Sequence, residues 1–300
     1  MRFQKIQVII NPAAGKPRPV LHIMHSVFHP RGVEWQVDVT KNPADVRDSC
    51  RRAIDRGVEA VAVYGGDGTV MEAVNGLAGT TVPLAILPGG TANIMATELG
   101  IPRNLTMACS LLCNDRALLH ALDIGDMMTH HFILRLSAGF EAEIVKTTHR
   151  RLKSNVGMLA YMLSGFKALL KTRPTRYRIV LDGVVQECLG LSYVVANSGC
   201  LGFPGVTLSP KIKVDDGLLD VIFFRATDLR ALFSLDFDRV EKEITTEFFQ
   251  HWQAREVTIE AETAHNVQCD GEFLGPVQVK AKVIPQALKV IVPKIPHVGD

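Results

Sequence analysis

Residues 58–77 read VEAVAVYGGDGTVMEAVNGL, and this stretch sets the class of fold. Val58–Tyr64 is an almost uninterrupted apolar run, short enough for a buried strand, and it stops at Gly65-Gly66. From Thr69 to Leu77 the apolar residues return at helical spacing. A buried strand that passes through a glycine turn into a helix is half of a β-α-β unit, whose strands pair in parallel.

The same alternation extends on both sides. Upstream, Ile6–Ile10 is a β-rich run ended by Asn11-Pro12. Trp35–Val39 alternates as a strand, and Pro43–Arg56 carries a helical pattern. Downstream, Val82–Leu87 is a fourth strand that ends at Pro88-Gly89-Gly90. A helix is expected over Ala92–Leu99, stopped by Gly100 with Pro102 just beyond. From about Ala121 the pattern changes. His131–Leu136, Tyr177–Leu181, Leu191–Ala196, Leu218–Phe224, Val257–Ala261 and Val277–Lys280 are short β-rich segments, interrupted by one helical stretch near 155–171. Asp182-Gly183 is a hairpin signal. The chain thus divides into an α/β domain over 1–125 and a β-rich domain over 126–284. The apolar run Ala287–Val292 is read as returning to the first domain, which 285–300 would complete.

Composition narrows the classes of function. The 300 residues are 47% hydrophobic and 21% charged, which excludes a disordered chain or a coiled coil. A net charge of +2 gives no argument for a nucleic-acid partner. The six cysteines contain no C-x-x-C pair and suit reduced thiols in a cytoplasmic protein. No targeting segment is visible, and the most apolar window, 156–170, is too short to span a bilayer and is interrupted by Lys167. His22, His25 and His29 fall near one helical face without neighbouring carboxylates or cysteines, and read as a surface rather than a metal site.

Three glycine-rich turns follow predicted strands of the first domain: Asn11-Pro12-Ala13-Ala14-Gly15, Gly65-Gly66-Asp67-Gly68-Thr69 and Pro88-Gly89-Gly90-Thr91-Ala92-Asn93. In a parallel sheet such turns gather at the carboxyl ends of the strands, where ligands of open α/β folds bind. Glycine lets backbone N–H groups approach phosphate oxygens, and a helix N-terminus adds positive potential. Any one such turn is more often plain turn chemistry. Asp67 strengthens the second, because a carboxylate inside a phosphate-binding turn calls for an intervening Mg²⁺. Thr69 and Thr91 stand where helices are expected to begin, suited to cap them or to meet a phosphate.

NPxxG, GGDGT and PxGTxN in this order resemble the catalytic domain of the diacylglycerol kinase family, which includes soluble bacterial lipid kinases and is similar to sphingosine and ceramide kinases. Asp215-Asp216-Gly217-Leu218-Leu219-Asp220 resembles the family's DDGxLDV segment and Asp270-Gly271-Glu272 its DGE motif, so the resemblance covers nearly the whole chain. It implies a Rossmann-like α/β domain, of the phosphofructokinase and NAD kinase type, followed by a C-terminal β-sandwich, with ATP in the cleft between them. It places nucleotide contacts on Asn11, Pro12, Ala13, Ala14, Gly15, Thr40, Gly66, Asp67, Gly68, Thr69, Val70, Met71, Glu72 and Thr91. It assigns a structural Mg²⁺ to the carboxylate of Asp216 with the carbonyl groups of Lys213 and Leu218. It makes Glu272 the general base, with Asp270 beside it, and joins Asp123 to Asp67 through water and metal.

Phosphoryl transfer needs in-line positioning, a metal to neutralise phosphate charge, and an acceptor for the substrate hydroxyl proton. Asp270 and Glu272 alternate across a glycine, so in a strand they would share a face and raise one another's pKa. An ordinary hairpin turn is the competing reading of the same three residues. One departure concerns the metal: many relatives carry an aspartate after the asparagine of GTxN, where this chain has Ile94, so either the acidic network is smaller here or Glu98 or a water compensates.

Between Lys146 and Arg178 there are nine Lys/Arg residues, no Asp or Glu, and many large apolar side chains. That pattern suits peripheral contact with an anionic inner membrane face, and equally a core helix with a basic solvated side. The expected substrate is a lipid, and the oligomeric state is left open. An NAD kinase would share GGDGT and the β-rich domain but should carry an Asn-Glu nucleotide-binding pair, which this sequence lacks. A non-catalytic nucleotide-binding regulator is the other alternative, opposed by the intact Asp67, Asp270 and Glu272.

Overall fold

The computed structural model describes residues 2–15, 17–115, 117–128, 130–138, 173–202, 205, 207–225 and 249–294. Most of the basic-apolar stretch, residues 146–172, and the helix expected near 155–171 lie outside the described residues. The chain forms two compact units. Unit 1 comprises Met1–Ile124, Ser198–Gly217 and Ile284–Asp300, and unit 2 comprises Gly125–Asn197 and Leu218–Val283. Ser198–Gly217, assigned from sequence to the second domain, therefore packs with the first.

Unit 1 follows the alternation of its sequence: β1 (Lys5–Ile10), α1 (Val20–Phe28), β2 (Glu34–Val39), α2 (Pro43–Asp55), β3 (Ala60–Gly65), α3 (Asp67–Leu77), β4 (Leu84–Pro88), α4 (Ile94–Glu98) and α5 (Leu105–Ser110). The strands pair in parallel in the order β2-β1-β3-β4, and Val290 of the last strand continues the sheet beside Leu84. Every residue of β3 is buried, which is what a central parallel strand covered on both faces requires. β2, at the edge, is partly exposed along its length. Helix α2 starts with Pro43 and a capping box between Asn42 and Asp45, and buries Val46, Ser49, Cys50 and Ala53 along one stripe. A Cβ at Gly76 of α3 would stand 2.7 Å from the Cys50 Cβ, so this glycine is what lets α3 lie close against α2.

β5 (Ala117–Asp126) leads into unit 2, which is antiparallel and built from β6 (His131–Phe132), β7 (Arg135–Ala138), β8 (Thr175–Leu181), β9 (Val184–Ala196), β10 (Leu219–Arg225), β11 (Phe249–Ala254), β12 (Glu256–Ala261), β13 (Asn266–Cys269), β14 (Glu272–Pro276) and the first half of β15 (Val279–Pro293). The long β9 pairs with β8 through Val184–Gly190 and with β10 and β7 through its second half. It passes from one layer to the next at Gly190, where a Cβ would stand 2.3 Å from the Phe223 ring. One layer is thus β9-β8-β12-β15 and the other β14-β13-β7-β9-β10-β11. Between them Tyr177 packs edge-on against Tyr193 and Phe223 over a core that includes Ile179, Val221, Val257 and Val279. This is a β-sandwich. Asp182-Gly183 closes the β8–β9 hairpin with both residues at positive φ, as an Asp-Gly turn requires. Among the described residues no helix is long and apolar enough to cross a membrane.

Candidate functional site

In unit 1 the three glycine turns come together at the carboxyl ends of β1, β3 and β4. Gly15 has φ +67°, and a Cβ there would lie 2.0 Å from the Gly89 carbonyl oxygen. A Cβ on Gly90 would lie 2.6 Å from the Gly66 Cα. The Gly89 and Gly90 N–H groups both donate to the Gly65 carbonyl, at 2.9 and 3.1 Å. Turn one therefore touches turn three, and turn three touches turn two, at contacts only glycine permits. Asn11 ties the first two further: its N–H donates to the Tyr64 carbonyl and its Nδ2 to Thr69 Oγ1 at 2.9 Å, while its Oδ1 accepts the Ala13 N–H.

Both expected helix starts differ from the structure. Helix α3 begins at Asp67, two residues before Thr69, with Gly66 as N-cap and no side-chain cap. Thr69 is buried and its hydroxyl accepts the Asn11 amide. Thr91 is exposed, because α4 begins only at Ile94 behind Asn93, which sits in the left-handed region at φ +50°. Asn93 holds that turn by accepting the Gly90 N–H and donating to the Gly90 carbonyl. Among the other expected nucleotide contacts, Thr40 is buried with its N–H and hydroxyl on the Ile10 carbonyl, and Val70 belongs to the core. Pro12, Ala13 and Gly68 are exposed, and Ala14, Met71 and Glu72 are half-buried.

The acidic residues are more deeply engaged than their motifs indicate. Asp67 Oδ1 accepts the Ile94 N–H at 2.7 Å and the Met95 N–H at 3.4 Å, so the acid of turn two caps α4. Burial pushes its pKa up, against the pull of those backbone donors. Glu98, the candidate replacement for the missing aspartate at Ile94, instead accepts from Ser198 Oγ at 2.5 Å and the Cys200 N–H at 2.8 Å. Asp123 is fully buried; its Oδ2 accepts the Gly217 N–H at 2.6 Å and its Oδ1 the Gln286 N–H at 2.7 Å. It thereby fastens the DDG turn and the last strand to β5. In that turn Asp215 pairs with His120 Nε2 at 2.8 Å, and Lys213 and Asp216 are exposed while Leu218 is half-buried. No three His, Cys, Asp or Glu side chains gather as a metal cluster among the described residues.

In unit 2 the DGE motif is a hairpin turn. β13 ends at Cys269, β14 begins at Glu272 opposite it, and Asp270 (φ +45°) and Gly271 (φ +89°) form the two-residue loop. Asp270 and Glu272 therefore do not alternate on one face of a strand, as their spacing would have them do. The Asp270 carboxylate accepts the N–H groups of Ile133 at 2.8 Å, Leu134 at 3.1 Å and Arg135 at 2.8 Å, anchoring the start of β7. Its pKa is raised to about 6 by burial, opposed by those three donors, so the cause is desolvation and not a neighbouring carboxylate. Glu272 is exposed.

Comparison with known proteins covers both units. Residues 5–127 match the family model described as the diacylglycerol kinase catalytic domain, and residues 135–292 match the YegS C-terminal NAD kinase beta sandwich-like domain. A diacylglycerol kinase of Mycobacterium tuberculosis is 29% identical, over 97% of this chain and 96% of its own. A probable lipid kinase YegS-like of Chromohalobacter salexigens is 32% identical, over 93% and 91%. The crystal structure of a putative diacylglycerol kinase from Bacillus anthracis superposes with a TM-score of 0.77 at 26% identity, covering 97% of this chain and 98% of the other.

Proposed function

The chain belongs to the diacylglycerol kinase catalytic-domain family, and from that premise we propose that it is a lipid kinase that transfers the terminal phosphoryl group of ATP to a lipid hydroxyl. The observation that carries this reading is the union of three glycine turns beside α3, a helix whose N-terminus has no side-chain cap. Uncapped N–H groups and the helix dipole favour an anion, and the glycines leave no Cβ between backbone and phosphate. The Asn11–Thr69 bond fixes the spacing of the first two turns, and Thr91 offers an exposed hydroxyl beside the third. Val70, being core, would contribute only its backbone.

Magnesium carried with the nucleotide supplies neutralisation of the phosphate charge. Asp67, the one acid within the turns, is the residue suited to hold it directly or through water; Asp123, expected to join it through water, is fully buried with both oxygens on backbone N–H groups and acts on the DDG turn instead. A structural Mg²⁺ on the Asp216 carboxylate and the Lys213 and Leu218 carbonyl groups fits the chemistry of the donors, since an all-oxygen set suits a hard cation. The turn that presents them is held by Asp123 on Gly217 and by His120 on Asp215. For the proton of the lipid hydroxyl we favour Glu272 as acceptor. Its exposure suits contact with a substrate, whereas the Asp270 oxygens are occupied by backbone donors and make Asp270 a positioning residue for the hairpin. A lipid substrate also implies contact with a membrane surface, in keeping with the basic-apolar sequence of 146–178.

The test is transfer of label from radiolabelled ATP with Mg²⁺ to diacylglycerol, a sphingoid base, ceramide, phosphatidylglycerol and NAD. Label is expected in a lipid, and Glu272→Ala should lower the rate by at least about a hundredfold, the usual contribution of a general base. Label in NAD alone would make the chain an NAD kinase. Full turnover by Glu272→Ala would remove that residue from the chemistry.

A further inference from the structure

The third glycine turn is fastened at both ends and exposed in between. Its start is held by the Gly89 and Gly90 N–H groups on the Gly65 carbonyl, and its end by Asn93 at φ +50°. A residue in that left-handed region keeps its conformation when its surroundings fix it. Thr91 and Ala92, between these ties, are exposed. Arg103 reaches them from outside the turn. Its Nη2 donates to the Ala92 carbonyl at 3.0 Å, and at 3.4 Å to both the Gly202 carbonyl and Thr97 Oγ1. All three acceptors are neutral oxygens, so the guanidinium works here as a donor and not as half of an ion pair.

Residues 198–202 give the arginine a firm footing. Ile94 and Glu98, four apart on one face of α4, both meet this segment. Glu98 accepts from Ser198 Oγ at 2.5 Å and the Cys200 N–H at 2.8 Å. Gly202, at φ +89°, passes so close to Ile94 that a Cβ on it would stand 3.3 Å from the Ile94 Cγ1. The segment, α4 and the turn all belong to unit 1. Arg103 thus runs from backbone that α4 already holds to the exposed stretch of the turn. We propose that Arg103 is a positioning residue of the phosphate site: by tying the Ala92 carbonyl to Gly202 it fixes the orientation in which Thr91 meets a phosphate oxygen. This rests on the nucleotide reading above and adds to it a residue that none of the glycine motifs contains. Two points make the role one of positioning rather than of stability. An exposed arginine adds little to a segment that Glu98 and Ile94 hold without it. A turn left free to move must instead be ordered by the nucleotide itself, at a cost in affinity.

The test is a double-mutant cycle between Arg103 and Thr91, read by calorimetric titration with ATP and Mg²⁺ and needing no lipid. Thr91→Val removes the hydroxyl and keeps the shape of the side chain; it should weaken ATP about tenfold, the size of one hydrogen bond to a charged group. Arg103→Met should weaken ATP by a similar factor with the thermal unfolding midpoint unmoved, and Arg103→Lys, which keeps a donor, should recover part of the loss. The double variant should be no weaker than either single one, because Arg103 acts through Thr91. Losses that multiply to about a hundredfold overturn the proposal, since Arg103 would then meet the phosphate itself. Unchanged ATP affinity in Arg103→Met overturns it too, as does a loss that comes with a lowered midpoint and is not recovered by lysine. An intact protein that binds no ATP would defeat the nucleotide reading and the proposal together. Coupled losses in ATP binding with no labelled lipid would defeat the lipid-kinase reading alone and leave the role of Arg103 standing.

Discussion

The pH dependence of unit 2 stability should carry the signature of Asp270. Its pKa stands near 6 in the folded chain against an ordinary 3.8, so the folded state holds this proton more tightly than the unfolded state does. The stabilisation is therefore complete below about pH 4, where both states are protonated, and is lost as pH rises through about 6. Raising the carboxyl from 3.8 to about 6 corresponds to about 3 kcal/mol, and because the turn is only half-buried the expected loss is about 2 kcal/mol. The reference is Asp270→Asn: asparagine tolerates φ +45° and keeps one acceptor for the three donors, so its cost is an offset without slope. The assay is urea unfolding between pH 4 and 7.5, followed by Trp252 of β11, half-buried against Phe223, in a Trp35→Phe background that silences the other tryptophan. The quantity to plot is the difference in stability between the protein with its native Asp270 and the Asp270→Asn variant, in which the pH dependence common to both cancels. A flat difference, or one that grows with pH, would mean that the backbone donors outweigh burial and that the proton is gone well below pH 6.

Asp67→Asn should abolish most turnover and leave the thermal midpoint nearly unchanged, because an amide oxygen can still accept the Ile94 N–H. Asp67→Ala should lose the same turnover and in addition about 1 kcal/mol of stability, the worth of a helix cap; a normal rate for Asp67→Asn would end its role with the metal. Gly15→Ala should destabilise unit 1 by about 3 kcal/mol, since the new Cβ meets both a φ of +67° and the Gly89 carbonyl, and thermal unfolding followed by Trp35 would register it. An alanine at 15 without measurable effect would show that the first and third turns are not in contact.

The order of elements in unit 1 is legible because each is signalled within a few residues: an apolar run for β3, a glycine stop, a periodic stripe for α3. Boundaries slip where the signal is not local. The pattern starts helix α4 at Ala92, yet the helix begins at Ile94, because its first N–H is taken by Asp67 from another turn. The hairpin at Asp182-Gly183 is legible for the same local reason. The turn at Asp270-Gly271 has identical chemistry but reads equally as strand, since the flanking segments are short and Asp270 is held by N–H groups 135 to 137 residues away. Asp123 grips Gly217 and Gln286, 94 and 163 residues on, and Glu98 reaches Ser198 and Cys200. No pattern in the neighbourhood of these residues announces such partners. A carboxylate that recognises a backbone N–H places no demand on the type of residue that supplies it.

Glycines demanded by turn-to-turn contact and acids that grip remote backbone are needed for the fold whether or not a phosphate is ever bound. Loss of turnover on replacing Gly15, Asp123 or Asp270 therefore cannot separate chemistry from architecture. Glu272 and Asp216 differ, being exposed, and Asp67→Asn differs because its cap survives the change. Activity lost at these positions with the unfolding midpoint unmoved is the result that architecture alone does not produce, and it is the form in which evidence for a kinase mechanism must come.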